Sequence, residues 1–228
     1  MTTKQIVKAF LSTAAVVLGA TPAAAENIGA AFEILRKGEP IGTHVVEVRQ
    51  EGPQTVVDTN IKMRVKFGPV PLFAYDHESR EVWRNGSLET IDSETNNNGR
   101  KSFLKVRRNG DTLEVDGSAY QGPAPLDAIP SSYWNRSIIE ARKLLNTQNG
   151  EVIDISTTRL GFTEAPGGEP AEHFRLVGSV ALDLWYDGPR WVGSTFTVRG
   201  EELTYRLIDD RSKLLATVEA SLPASPAR

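Results

Sequence analysis

The chain has 228 residues, with 26 basic and 29 acidic side chains, a formal net charge of −3 and no cysteine. That charge balance argues against a protein built to hold nucleic-acid phosphates. The lack of thiols excludes disulfides, thiolate metal sites and a cysteine nucleophile. Hydrophobic residues at 39% and charged residues at 24% mark a globular chain rather than a disordered or fibrous one.

The N-terminus carries Lys4 and Lys8, then a run of apolar and small residues from Ala9 to Ala20, then Ala23-Ala24-Ala25. This three-part pattern is that of a secretory signal peptide cleaved after Ala25. The apolar run falls short of the roughly 20 residues that cross a bilayer, and no cysteine follows it for lipid attachment. Loss of residues 1–25 removes two lysines and moves the net charge from −3 to −5. With no second apolar run to span a membrane, the mature chain is expected in a bacterial periplasm or outside the cell.

From residue 26 onward the sequence alternates and turns. Ala31 to Arg36 and Ile41 to Gln50 flank Lys37-Gly38-Glu39-Pro40, a hairpin turn. Thr55 to Phe67 follows. In its second half Ile61, Met63, Val65 and Phe67 share one face, and Lys62, Arg64 and Lys66 the other, which predicts a half-buried strand with a wet basic side. Leu72 to Arg84 and Ser87 to Ser93 are joined by Asn85-Gly86, the strongest hairpin signal in the chain. Asn96 to Gly99 and Asn109-Gly110-Asp111 are further turns around the strands Lys101 to Arg108 and Thr112 to Val115.

A proline-rich connector then leads to Ser131-Ser132, which can cap a helix. Trp134, Ile138, Ala141 and Leu145 fall at i, i+4, i+7 and i+11, so a helix is predicted over residues 131–147 with one apolar stripe. Four or five more strands run from Val152 to Asp209, and residues 221–228 read as a loose tail. The prediction is mainly β: one domain over residues 26–220, a large curved antiparallel sheet or open barrel of about ten to twelve strands. The amphipathic helix lies in its concave face.

Local motifs for chemistry are sparse. Tyr75-Asp76-His77-Glu78 is the densest polar cluster, but a strand sends His77 to one face and Asp76 and Glu78 to the other. A metal there would need His44 or His173 brought in from other strands, and the cluster is read as a solvated strand edge. Neither G-x-S-x-G nor H-E-x-x-H occurs. The reading is therefore non-enzymatic, with no catalytic residue, metal or cofactor assigned. A carboxylate-pair hydrolase leaves no local signature and stays open.

The aromatics are more suggestive. Tyr133 and Trp134 open the predicted helix, and Trp185 and Trp191 bracket the Asp187-Gly188-Pro189 turn. With Ile138 they are the candidate ligand-binding residues, forming either an aromatic rim at a cavity mouth or the packing between helix and sheet.

The segments Phe32 to His44 (FEILRKGEPIGTH), Ser131 to Asn135 (SSYWN), Leu144 to Gly150 (LLNTQNG) and Leu182 to Val192 (LDLWYDGPRWV) resemble an uncharacterised family of exported proteobacterial proteins, a domain of unknown function. The architecture is similar to the periplasmic lipoprotein-carrier fold, an open half-barrel lined with apolar residues and covered by helices, although this chain offers one helix where those proteins use more. The resemblance brings no ligand or catalytic residues with it. It implies a periplasmic protein that binds or carries a hydrophobic or amphipathic molecule such as a lipid. The alternative is an accessory envelope protein whose core is filled by its own side chains.

Overall fold

The computed structural model describes residues 28–67, 70–179, 181–198 and 200–208. The predicted signal segment and the C-terminal tail lie outside them. Eight strands form first: β1 (Ile28–Arg36), β2 (Glu39–Glu51), β3 (Gln54–Phe67), β4 (Val70–Arg84), β5 (Ser87–Asn97), β6 (Arg100–Asn109), β7 (Thr112–Gly117) and β8 (Gln121–Pro125). A crossover then carries three short strands, β9 (Ile129–Pro130), β10 (Lys143–Leu145) and β11 (Val152–Asp154). The chain returns through β12 (Ser156–Glu164), β13 (Pro170–Val177), β14 (Ala181–Asp187), β15 (Arg190–Val198) and β16 (Glu201–Leu207).

Thirteen of these strands make one antiparallel sheet in the order β12-β13-β14-β15-β16-β1-β2-β3-β4-β5-β6-β7-β8. Every neighbour is the next strand in the chain except β16 against β1, where the two ends of the meander meet. The sheet is not closed, since β8 and β12 are its edges. Pro123 and Pro125 sit in β8, and a strand with prolines cannot donate a full ladder to a further neighbour.

The turns obey local chemistry. Lys37-Gly38, Asn85-Gly86 and Asn98-Gly99 all have positive φ at both central residues, the type I′ geometry whose twist matches that of the flanking strands. Gly42 answers a different demand. A Cβ there would stand 2.0 Å from the carbonyl oxygen of Lys62, so only glycine lets β2 approach β3 at this point.

Alternation sorts the sheet into two faces. The outer face is ionic: Asp58 binds both Arg49 and Arg80, Arg64 binds Asp76, and Arg107 binds Asp92. On the predicted wet side of β3 Arg64 is thus paired, and Ile61 and Met63 face inward as expected. Lys66 and Phe67 fall outside the described side chains. On the inner face one core runs from Phe32 and Ile34 through Ile91 and Leu104 to Leu184 and Tyr186.

The helix expected over residues 131–147 does not form. A four-residue 3₁₀ turn, Arg136–Ile139, takes its place, with Asn135 capping it through the N–H of Ser137. Leu144 and Leu145 go into β10, which pairs parallel to β9 and antiparallel to β11. The reason is tertiary. Tyr133 adopts φ +55, outside the helical region, and its carbonyl accepts from the Tyr186 hydroxyl at 2.8 Å. The first turn would have been built from Ser, Tyr, Trp and Asn, all modest helix formers, so bonds to the sheet outweigh local propensity. The crossover still buries Ile138, Leu144 and Leu145 in the core beside the sheet. Gly117 lets it come close, because a Cβ there would lie 2.3 Å from the Asn149 carbonyl oxygen.

Candidate functional site

The sheet and the crossover border a partly open cavity of about 590 Å³. Its opening lies by Arg36, Leu72, Val198 and Glu201, at the end of the sheet holding the β1–β2 turn. There Leu72 and Val198 line it while remaining 58% and 41% exposed, an apolar rim in contact with water. Arg36 and Glu201 stand at the same end, bound to each other at 3.2 Å, with Lys37 also on Glu201 at 3.2 Å. Farther in, Ile61, Met63, Phe73 and Leu203 make apolar walls.

Beyond them the wall turns polar for a reason readable in strand register. His44 on β2 pairs with Ile61 on β3, which pairs with His77 on β4. Two ladder steps, about 10 Å, separate the histidine backbones. One step deeper, Thr59 on β3 pairs with Ser79 on β4. All four polar residues are at least nine-tenths buried and line the cavity. His77 Nδ1 bonds the Thr95 hydroxyl at 2.8 Å. Both ring nitrogens of His44 and the hydroxyls of Thr59 and Ser79 find no hydrogen-bond partner. Burial holds His44 down to about 3, with His77 nearby adding to the effect, and burial alone holds His77 down to about 4. Both imidazoles are neutral at physiological pH. Tyr75, Tyr133 and Tyr205 also line the space, and burial pushes all three phenols up, so they too carry no charge.

Near its inner end the next inward residue of β4 is Glu81, fully buried. Its Oε2 accepts from the indole N–H of Trp83 at 2.8 Å and from that of Trp134 at 3.1 Å. Burial pushes its carboxyl above the usual range, against the pull of Ser132, Trp83 and Trp134. Ser131 bonds Thr147, and Ser93 donates to the Thr147 carbonyl. These contacts fasten the crossover to the sheet beside the cavity.

The five candidate residues separate. Tyr133 lines the cavity. Trp134 is half-buried, edge-on to Trp83 at 5.6 Å, and spends its N–H on Glu81. Ile138 is fully buried in the core. Trp191 packs behind the wall, 5.6 Å from Tyr133 and 5.1 Å from His44. Trp185 does not share this site. It belongs to a smaller apolar cluster with Ala165, Ala171 and Val192, stacks on His173 at 4.1 Å and donates to Thr163. A bulge between Trp185 and Tyr186 accompanies this change of side.

The polar wall is what sequence reading missed. By local sequence His77 reads as part of a solvated edge, yet the inner face of β4 carries Tyr75, His77, Ser79, Glu81 and Trp83 at a spacing of two. That period was visible, but an alternating polar row looks like a wet face until the covering layer is known. His44 does come to the same cavity as His77. Among the described residues, however, no group of three or more histidine or carboxylate side chains could hold a metal ion.

A larger groove of about 1,100 Å³ runs over the other side of β2–β6, among Glu47, Asp76, Glu78, Glu94 and Lys101. It lies on the ionic outer face of the sheet. Among the described residues no helix is long and apolar enough to cross a membrane.

The chain belongs to the family described as domain of unknown function DUF6134, whose model matches residues 32–208. Among solved structures it is similar to the crystal structure of a beta-barrel-like protein of the domain of unknown function DUF1849 from Brucella abortus. The TM-score is 0.58 at 8% identity, over 79% of this chain and 94% of that one. At that identity the likeness is one of fold. No curated protein matches the chain.

Proposed function

We propose that the protein is a non-enzymatic envelope protein, exported to the periplasm, that holds a hydrophobic or amphipathic small molecule such as a lipid in its interior cavity. The cavity carries this reading. Its volume falls in the range of small-molecule sites, and it leads from an exposed apolar rim at Leu72 and Val198 to a buried polar wall. A core filled by its own side chains would leave neither the space nor the rim. Export rests on the N-terminal pattern with cleavage after Ala25. For this cavity the lining favours a binding role over a carboxylate-pair hydrolase. Among the described lining residues the one carboxylate is Glu201, and it is held by Arg36 and Lys37.

The test is direct. Native protein purified from the periplasm should release a defined apolar molecule into organic solvent. The emptied protein should then bind the neutral probe N-phenyl-1-naphthylamine at one site per chain, and Leu72→Arg at the rim should weaken that binding. Repeated absence of any extractable molecule, together with no probe binding, would overturn the reading in favour of an accessory role.

A further inference from the structure

We infer that the molecule held in the cavity is uncharged and carries a hydroxyl or carbonyl group that hydrogen-bonds the polar wall formed by His44, Thr59 and Ser79. The inference rests on the cavity being a ligand site and names the ligand's chemical class. Its first support is the orphaned groups. Buried polar atoms in folded proteins nearly always have partners, and each exception needs an explanation. Here three such side chains, 1%, 4% and 6% exposed, lie on adjacent strands along one wall of one cavity. Register places them together: Thr59 pairs with Ser79, and His44 is one inward position along from the Thr59 partner Val46. Two hydroxyls can donate or accept, and a neutral imidazole does one at each nitrogen. That set matches a hydroxyl or a carbonyl, which asks for one or two bonds and no counter-charge.

The second support is the absence of anything to receive a charge. Among the described lining residues the charged side chains are Arg36 and Glu201, and both sit at the mouth, bound to each other. A carboxylate or phosphate drawn in to the polar wall would lie beside neutral histidines and phenols. A buried charge without a paired opposite charge is strongly disfavoured. An ammonium group meets the same objection, because the buried carboxylate of Glu81 lies outside the lining. A charged headgroup could remain only at the rim, outside the wall.

Three ten-carbon probes that differ only at the polar end decide the matter: 1-decanol, decanoate and decylamine, each displacing N-phenyl-1-naphthylamine at pH 8. Decanol should bind at least 100-fold more tightly than either ion. Decanol affinity should be flat between pH 5.5 and 8, while decanoate should gain affinity as it takes up its proton. Thr59→Val and Ser79→Ala should each weaken decanol 5-fold or more and change binding of N-phenyl-1-naphthylamine, whose single N–H is its only polar group, by less than 2-fold. Because each variant removes an unpartnered hydroxyl, folding should survive, with unchanged circular dichroism as the control. Decanoate or decylamine binding as well as decanol would overturn the inference while leaving the cavity a ligand site. Decanol affinity unchanged in both variants would overturn the assigned wall. Failure of every probe, including the naphthylamine, would remove the ligand site itself.

Discussion

On the inner face of β4, Glu81 accepts from two indole N–H groups, whereas Ser79, two residues earlier, meets no protein partner, nor does Thr59 across from it. Both regions are buried and both are polar, yet the fold uses them differently. Through Oε2, Glu81 ties Trp83 of the sheet to Trp134 of the crossover, so that oxygen holds two layers together. The hydroxyls and His44 contribute no such link. The contrast teaches that burial of a polar group does not by itself mark function. What separates an anchor from a binding wall is whether the protein already satisfies the group and whether it faces open space.

Removing the anchor should have the largest effect. Glu81→Ala strands two indole donors and should destabilise the protein by about 3–5 kcal/mol in urea unfolding. Glu81→Gln keeps an acceptor and should cost about 1 kcal/mol. Equal small losses in both would mean that Glu81 does not hold the crossover.

Acid should break the wall next. The folded values of His44 and His77 lie below the ordinary 6.5, at about 3 and about 4. Their contribution is therefore complete above pH 6.5 and is lost as pH falls, because the unfolded chain takes up protons that the folded one refuses. Between pH 6.5 and 5 each should remove about 2 kcal/mol, at about 1.4 kcal/mol per pH unit. Glu81, raised by burial, works in the opposite direction and is best separated by mutation. His44→Phe, set among Phe32, Trp191 and Tyr205, should cut the acid slope by about half. An unchanged slope would show that His44 is not held neutral.

Trp134→Ala sharpens the comparison from the other side of the Glu81 bond. A half-buried indole with one hydrogen bond should cost about 2 kcal/mol, less than the roughly 3–5 kcal/mol of a fully buried tryptophan. Paired with Glu81→Ala in a double-mutant cycle, the two losses should be less than additive. Strict additivity would separate the two residues.

The smallest effects should come from the unpartnered hydroxyls. Thr59→Val and Ser79→Ala should change stability by no more than about 1 kcal/mol, neutral or stabilising, because a buried hydroxyl without a partner contributes little to the folded state. A loss above about 2 kcal/mol in either would place that residue with Glu81 as a structural group.

Much of this protein was readable as sequence, and the reason is locality. The type I′ turns at Lys37-Gly38, Asn85-Gly86 and Asn98-Gly99 depend on two adjacent residues, and the faces of β3 on alternation within one strand. Those signals carry the mainly antiparallel meander. The crossover was misread because its apolar spacing also suits a coil, and bonds from Tyr186 and Glu81, 53 residues away in each case, settle its backbone. For the aromatics the local signal was present: Trp185 and Tyr186 are neighbours on β14, and alternation sends them to opposite faces and different clusters. The cavity wall was beyond local reading altogether. His44, Thr59 and Ser79 come from three strands, and an alternating polar row signifies solvent until a second layer covers it. Local sequence determined where the chain turns and which residues share a face. Only the tertiary structure decided which face would be enclosed, because enclosure is set by contacts between segments far apart in the chain.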